Sequence, residues 1–124
     1  MNRTSKKILI IDDDSRNIFA LKAVLRSRGY QCLTASSARE GLDHVSANKD
    51  LGIILLDMMM PEMDGYETLS VLRRTKMQPI PVIAVTAQAM VGDREKCLSA
   101  GADAYLSKPI DVDQLLTLLD TYLT

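Results

Sequence analysis

Histidine occurs once in this chain, at His44, tryptophan not at all, and cysteine twice. A histidine-rich metal site or a Ser/His/Asp triad therefore has little to work with. Cys32 falls in an expected strand and Cys97 in an expected helix. Neither CxxC nor any metal-ligand spacing is present, so both read as reduced packing thiols. A basic excess is missing too: 15 Lys and Arg stand against 16 Asp and Glu, for a net charge of -1. Nucleic-acid binders usually carry a basic stripe, and the one basic cluster, the opening "NRTSKK", reads as a solvated tail. No apolar run approaches the ~20 residues that span a bilayer, and the N-terminus lacks an apolar signal region. The expectation is a cytoplasmic protein with no direct nucleic-acid or membrane partner.

What is present is an ordinary globular composition. The 124 residues are 47% hydrophobic and 25% charged, enough for one domain with its own core and too few for two. Residues 1–124 are accordingly expected to form one domain.

Five segments read as buried strands: "KILII", "QCLTA", "GIILL", "PVIAV" and "AYLS". Three are nearly continuous Val/Ile/Leu/Ala runs, which suit parallel strands covered on both faces; "QCLTA" fits an edge. Helical patterns lie between them. Ile18, Leu21, Val24 and Leu25 form a stripe that Gly29 can end. Ser37 with Glu40, and Asp64 with Glu67, make capping boxes ahead of apolar stripes. A fourth helix is expected from Ala89 to Ala100, closed by Gly101. Asp111 can cap the fifth, with Ile110 and Leu115 at staple positions. Strand then helix, five times over, implies a doubly wound (βα)5 fold: a parallel sheet with right-handed crossovers and helices on both faces.

The stretch "IILLDMMMPEMDG" poses the functional question. Four apolar residues lead directly into Asp57, although carboxylates are rarely buried without a partner. Ligands of open α/β sheets bind beyond the carboxyl ends of the strands. The first strand ends in Asp12 and Asp13, the third in Asp57, the fourth in Thr86, and the fifth runs into Lys108 and Pro109. Three carboxylates, a hydroxyl and an ammonium are thus expected on one rim. Two like charges ~4 Å apart repel by about 4 kcal/mol at an effective dielectric near 20. One lysine is not enough for three such groups. Hard oxygen ligands without histidine or thiolate suit Mg²⁺. With Lys108 and Thr86 opposite, the set suits phosphoryl transfer, Asp57 attacking to form an acyl phosphate.

The motifs "ILIIDDDS", "IILLDMMMPEMDG", "VIAVTA" and "AGADAYLSKPI" resemble, in the right order and over essentially the whole chain, a response-regulator receiver domain of two-component signalling. The resemblance implies a flavodoxin-like sheet of order 2-1-3-4-5. It implies that Asp57 accepts a phosphoryl group from a histidine kinase or a histidine phosphotransfer protein. Asp13 would bind Mg²⁺ directly and Asp12 through water, with Asp57 and the Met59 backbone carbonyl as further ligands. Thr86 falls on the switch hydroxyl, Lys108 on the family's lysine, and Tyr105 on the aromatic switch that turns inward when Thr86 moves. Lys108–Pro109 falls on a cis peptide, which X–Pro bonds tolerate. Met59 and Gln88 would flank the phosphoryl group. Asp14 reads as a helix-entry residue, and Met58 to Met60 as the loop over the pocket or, alternatively, a flexible contact surface.

The implied function is a phosphorylation switch that signals through the face of helix 4, strand 5 and helix 5 to a downstream protein or a second copy. It is not a turnover enzyme, although it catalyses its own aspartyl phosphorylation and dephosphorylation. Rival readings fit less well. A haloacid-dehalogenase-like phosphatase needs Thr or Val where Arg16 stands. An FMN-binding flavodoxin needs a phosphate loop where three acids stand. A degenerate receiver would lack the complete Asp/Asp/Asp/Thr/Lys set. "AQAMVGDREKCLSAGADAYLSKPI" looks like hybrid-kinase receivers in particular.

Overall fold

The structure, a computed structural model, describes residues 6–75, 80–87 and 91–123. Strands and helices alternate: β1 (Lys7–Ile11), α1 (Ser15–Ser27), β2 (Cys32–Ala35), α2 (Ala38–Ala47), β3 (Leu51–Asp57), α3 (Gly65–Thr75), β4 (Val82–Thr86), α4 (Asp93–Ser99), β5 (Ala104–Ser107) and α5 (Val112–Leu123). The five strands are all parallel, in the order β2-β1-β3-β4-β5. The continuous apolar runs β1, β3 and β4 lie inside and the weaker β2 and β5 at the edges, as two-sided burial requires.

Alternate residues of each strand feed two cores. Leu9, Ile11, Ile54, Leu56, Val82 and Ala84 pack with Val45 of α2, Leu69 and Leu72 of α3 and Cys97 of α4. Ile8, Ile10, Ile53, Leu55, Ile83, Val85 and Leu106 pack with Leu21 and Leu25 of α1 and Leu115 and Leu119 of α5. Most of these side chains are fully buried, so each contributes about 1.5–3 kcal/mol of transfer free energy.

Helix ends follow their capping residues. Asp14 accepts from Arg16 N–H at 3.0 Å, Asp64 from Glu67 N–H at 2.9 Å and Asp111 from Gln114 N–H at 3.2 Å. Ser37 accepts from Glu40 N–H, but the Glu40 carboxylate reaches past the cap to Ser36 N–H at 2.6 Å. The fourth helix is shorter than expected. Gly92 sits in the left-handed region (φ 85°), so α4 begins at Asp93, and Val91 and Gly92 form a turn. Ala89 and Met90, with Gln88, lie outside the described residues.

At the rim away from Asp57, Arg73 joins three segments. Its guanidinium donates to Gly101 O (3.1 and 2.6 Å), to Ile80 O (2.9 Å) and to Asp103 Oδ2 (2.9 Å). Asp103 Oδ2 also accepts from Val82 N–H at 2.8 Å. The end of α3 is thereby tied to the entrances of β4 and β5.

Candidate functional site

Parallel strands deliver their carboxyl ends to one rim, and the acidic residues meet there. One carboxylate oxygen from each of Asp12, Asp13 and Asp57 lies within 4.8 Å of the others. Asp12 and Asp57 are 3% and 4% exposed, whereas Asp13 faces solvent. Asp12 follows β1 directly and is fixed on three sides. Its Oδ1 accepts from Asp14 N–H at 2.8 Å, and its Oδ2 from the Asn17 amide at 2.6 Å and from Lys108 Nζ at 3.1 Å.

Asp57 is the last residue of β3. Its Oδ1 accepts from Met59 N–H at 3.0 Å, and its Oδ2 lies 3.5 Å from Lys108 Nζ. Burial pushes the Asp57 carboxyl up to about 6, and the Asp12 charge adds to this; the Met59 amide and Lys108 oppose it. For Lys108, burial disfavours the charge, but the hydrogen bond to Asp12 and the two carboxylate charges prevail, and its pKa is raised. The ammonium therefore stays charged between two acids.

A close approach holds the loop after Asp57. A Cβ on Gly65 would stand 2.6 Å from Met58 Cα and 3.1 Å from Asp57 O, and Gly65 N–H donates to Met58 O at 3.2 Å. Only glycine lets α3 start this near β3. Met58 and Met60 are buried and Met59 is half exposed, so two of the three thioethers belong to the core and no three-methionine contact surface forms. All three line a cleft of about 530 Å³ together with Tyr66, Thr86, Asp93 and Lys96.

Thr86 ends β4, is 2% exposed, and its carbonyl accepts from Lys108 N–H at 2.8 Å. The Lys108–Pro109 peptide is cis. Tyr105 pairs with Ala84 across β4 and β5, and Ser107 with Thr86. Tyr105 Oη donates to Asp93 Oδ2 at 3.3 Å, and burial, with Asp93 beside it, raises the pKa of the phenol. All but one of the sequence-expected residues thus lie within the described structure, on one rim or bordering it. The exception is Gln88, which falls outside the described residues.

Two residues escaped the sequence reading. Asn17 lies in the first turn of α1, facing Asp12; a polar residue five positions after Asp12 was the available signal. Asp93 carries no local signal, since its partner is twelve residues away in another element.

A profile of the response regulator receiver domain matches residues 8–120. The chain belongs to that family. The receiver is similar to the sensor histidine kinase RcsC of Salmonella typhi, 39% identical over 115 residues that make up 93% of this chain and 12% of that protein. It therefore spans about an eighth of RcsC. It is also similar to the polar-differentiation response regulator DivK of Brucella ovis, 34% identical over 120 residues covering 96% of this chain and 97% of DivK. Among solved structures, a Francisella response regulator receiver domain superposes with a TM-score of 0.88 at 29% identity, covering 95% of this chain and 96% of that one. The family is a regulatory switch rather than a turnover enzyme. Among the described residues, no helix is long and apolar enough to cross a membrane.

Proposed function

We propose that residues 1–124 act as one receiver in which Asp57 accepts a phosphoryl group from a phosphohistidine of a histidine kinase or histidine phosphotransfer protein. The observation that carries this reading is the gathering of the Asp12, Asp13 and Asp57 carboxylates within 4.8 Å of one another, with the Lys108 ammonium against two of them, Asp12 and Asp57. Two direct carboxylates, Asp13 and Asp57, with Asp12 acting through water, fit Mg²⁺, which prefers one or two carboxylates and several waters. Asp12, Asp13, Asp57 and the Met59 carbonyl would hold it. Bound there, Mg²⁺ supplies positive charge against the oxygens of the phosphoryl group.

The chain's own residues do the rest. An Asp57 carboxylate oxygen attacks phosphorus as the N–P bond of the donor breaks, and the imidazole leaves with its electron pair and takes up a proton. Lys108 balances charge on the transferred group. The Met59 amide on Asp57 Oδ1 and Lys108 beside Oδ2 give the two carboxylate oxygens different surroundings. Water later cleaves the acyl phosphate to inorganic phosphate and the Asp57 carboxylate. Thr86, at the edge of the cleft, is drawn to the phosphoryl oxygens. Tyr105 follows into the space beside it, changing the α4, β5 and α5 surface presented to a downstream protein or a second copy. A cytoplasmic location accords with such donors.

Incubation with acetyl phosphate and Mg²⁺, followed by intact mass, tests the reading. A single phosphate adduct, labile to hydroxylamine and absent in Asp57→Asn, is expected; an adduct that persists in Asp57→Asn refutes it.

A further inference from the structure

We propose that Asp93 is a positioning residue: it latches Tyr105 and keeps the ring out of the space beside Thr86 until Asp57 is phosphorylated. The inference rests on the function proposed above and adds a named residue to its switch.

The geometry is specific to three elements. Tyr105 and Thr86 occupy adjacent, diagonal positions on one face of the sheet, because Tyr105 pairs with Ala84 and Ser107 with Thr86. Asp93 lines the same cleft as Thr86 and accepts from Tyr105 Oη at 3.3 Å. Its carboxylate therefore stands at the border between the ring and the cleft. A ring moving toward Thr86 has to break that bond.

Asp93 is well placed to serve as a fixed, charged acceptor. It is the first residue of α4, and the preceding Gly92 offers no side-chain cap to the helix. Negative charge is favoured next to the free amides of a helix start. The same stripe of α4 also meets α3, because Cys97 lies four residues after Asp93. Tyr66 Oη lies 3.5 Å from Cys97 Sγ, and Lys96 Nζ sits 4.8 Å from the Tyr66 ring centroid. Two tyrosines, Tyr105 and Tyr66, thus hold one short helix by the same stripe. Release of Tyr105 leaves α4 attached to α3 through Tyr66, so the contact that loosens is the one with β5.

A single, rather long hydrogen bond makes a weak latch, which a switch needs. Its loss shifts the balance between the two ring orientations by about three- to tenfold, and a ligand that prefers the inward orientation gains by up to that factor.

The test uses the isotopically labelled protein and reads the Tyr105 χ1 populations from three-bond couplings in the ligand-free state. Asp93→Ala is expected to populate the inward rotamer, and Asp93→Asn, which keeps an acceptor oxygen, to stay near the wild-type distribution. In parallel, beryllofluoride is titrated with Mg²⁺ in excess. Asp93→Ala is expected to reach half-saturation at a concentration about three- to tenfold lower, and to gain nothing in a Tyr105→Phe background. Unchanged χ1 populations in Asp93→Ala overturn the latch, as does an equal gain with Phe at 105. If the wild type takes up neither beryllofluoride nor phosphoryl group, the receiver function itself fails. The ligand-free couplings then still decide whether Asp93 holds Tyr105.

Discussion

The Asn17 amide donates to Asp12 Oδ2 over 2.6 Å, while Lys108 Nζ approaches the same oxygen at 3.1 Å. Asp12 is thus oriented by a neutral donor as well as a charged one. Outer groups that orient a metal ligand typically account for 10–100-fold in affinity. Because Lys108 would remain, Asn17→Ala is expected to weaken Mg²⁺ binding by about tenfold at most, measured calorimetrically, with little change in melting temperature.

Lys108 has the opposite relation to a cation. Its ammonium already neutralises Asp12 and Asp57, so Lys108→Ala leaves the acidic cluster more negative. The variant is expected to bind Mg²⁺ more tightly, by about threefold or more given charges a few ångströms apart in a partly exposed rim, yet to be phosphorylated more slowly by acetyl phosphate. Weaker Mg²⁺ binding in the same titration would show that Lys108 organises the carboxylates rather than competing for them.

Asp57 carries a pH signature. Its pKa is about 6 in the folded chain against an ordinary 3.8, so between those values the folded state holds more proton than the unfolded one. Stability of the metal-free protein therefore falls as pH rises from about 4 through about 6. Asp57→Asn removes this dependence and is expected to be the more stable protein above pH 6, by on the order of 1–2 kcal/mol. Denaturant titrations of both proteins at pH 4 and pH 8 in a chelator give the comparison, and added Mg²⁺ should narrow the gap.

Gly65→Ala places a methyl group against Met58 backbone. Overpacking of this kind costs about 1–3 kcal/mol, and the relief available is a shift of Asp57 and Met58. The expected result is a lower melting temperature together with a reduced rate of Asp57 phosphorylation. A variant as reactive as the wild type would mean that α3, not β3, gives way.

Much of this was legible in the sequence because two-sided burial leaves a plain trace. The runs "KILII", "GIILL" and "PVIAV" suit strands covered on both faces and lie inside the sheet, and Asp57 marks where β3 leaves the core. Residues whose meaning depends on local chemistry, such as Asp14, Asp64 and Asp111 as caps, were equally readable. Tertiary approach was not. Nothing in the sequence around Gly65 announces how near α3 comes to Met58. Asn17 and Asp93 acquire partners only once α1 meets β1 and α4 meets β5. The start of α4, expected at Ala89, is set instead by the left-handed turn at Gly92, which a glycine inside an expected helix does not by itself announce.

Arg73 gives the molecule a fixed foundation. By stitching the end of α3 to Ile80, Gly101 and Asp103, it pins the start of β4 and the descent from α4 into β5 at the end of the sheet remote from Asp57. A disturbance arising at the acidic rim cannot easily be absorbed by sliding those strands past one another. Rearrangement is thereby confined to the rim that carries Asp57, Thr86 and Lys108, while the far end of the sheet keeps its register.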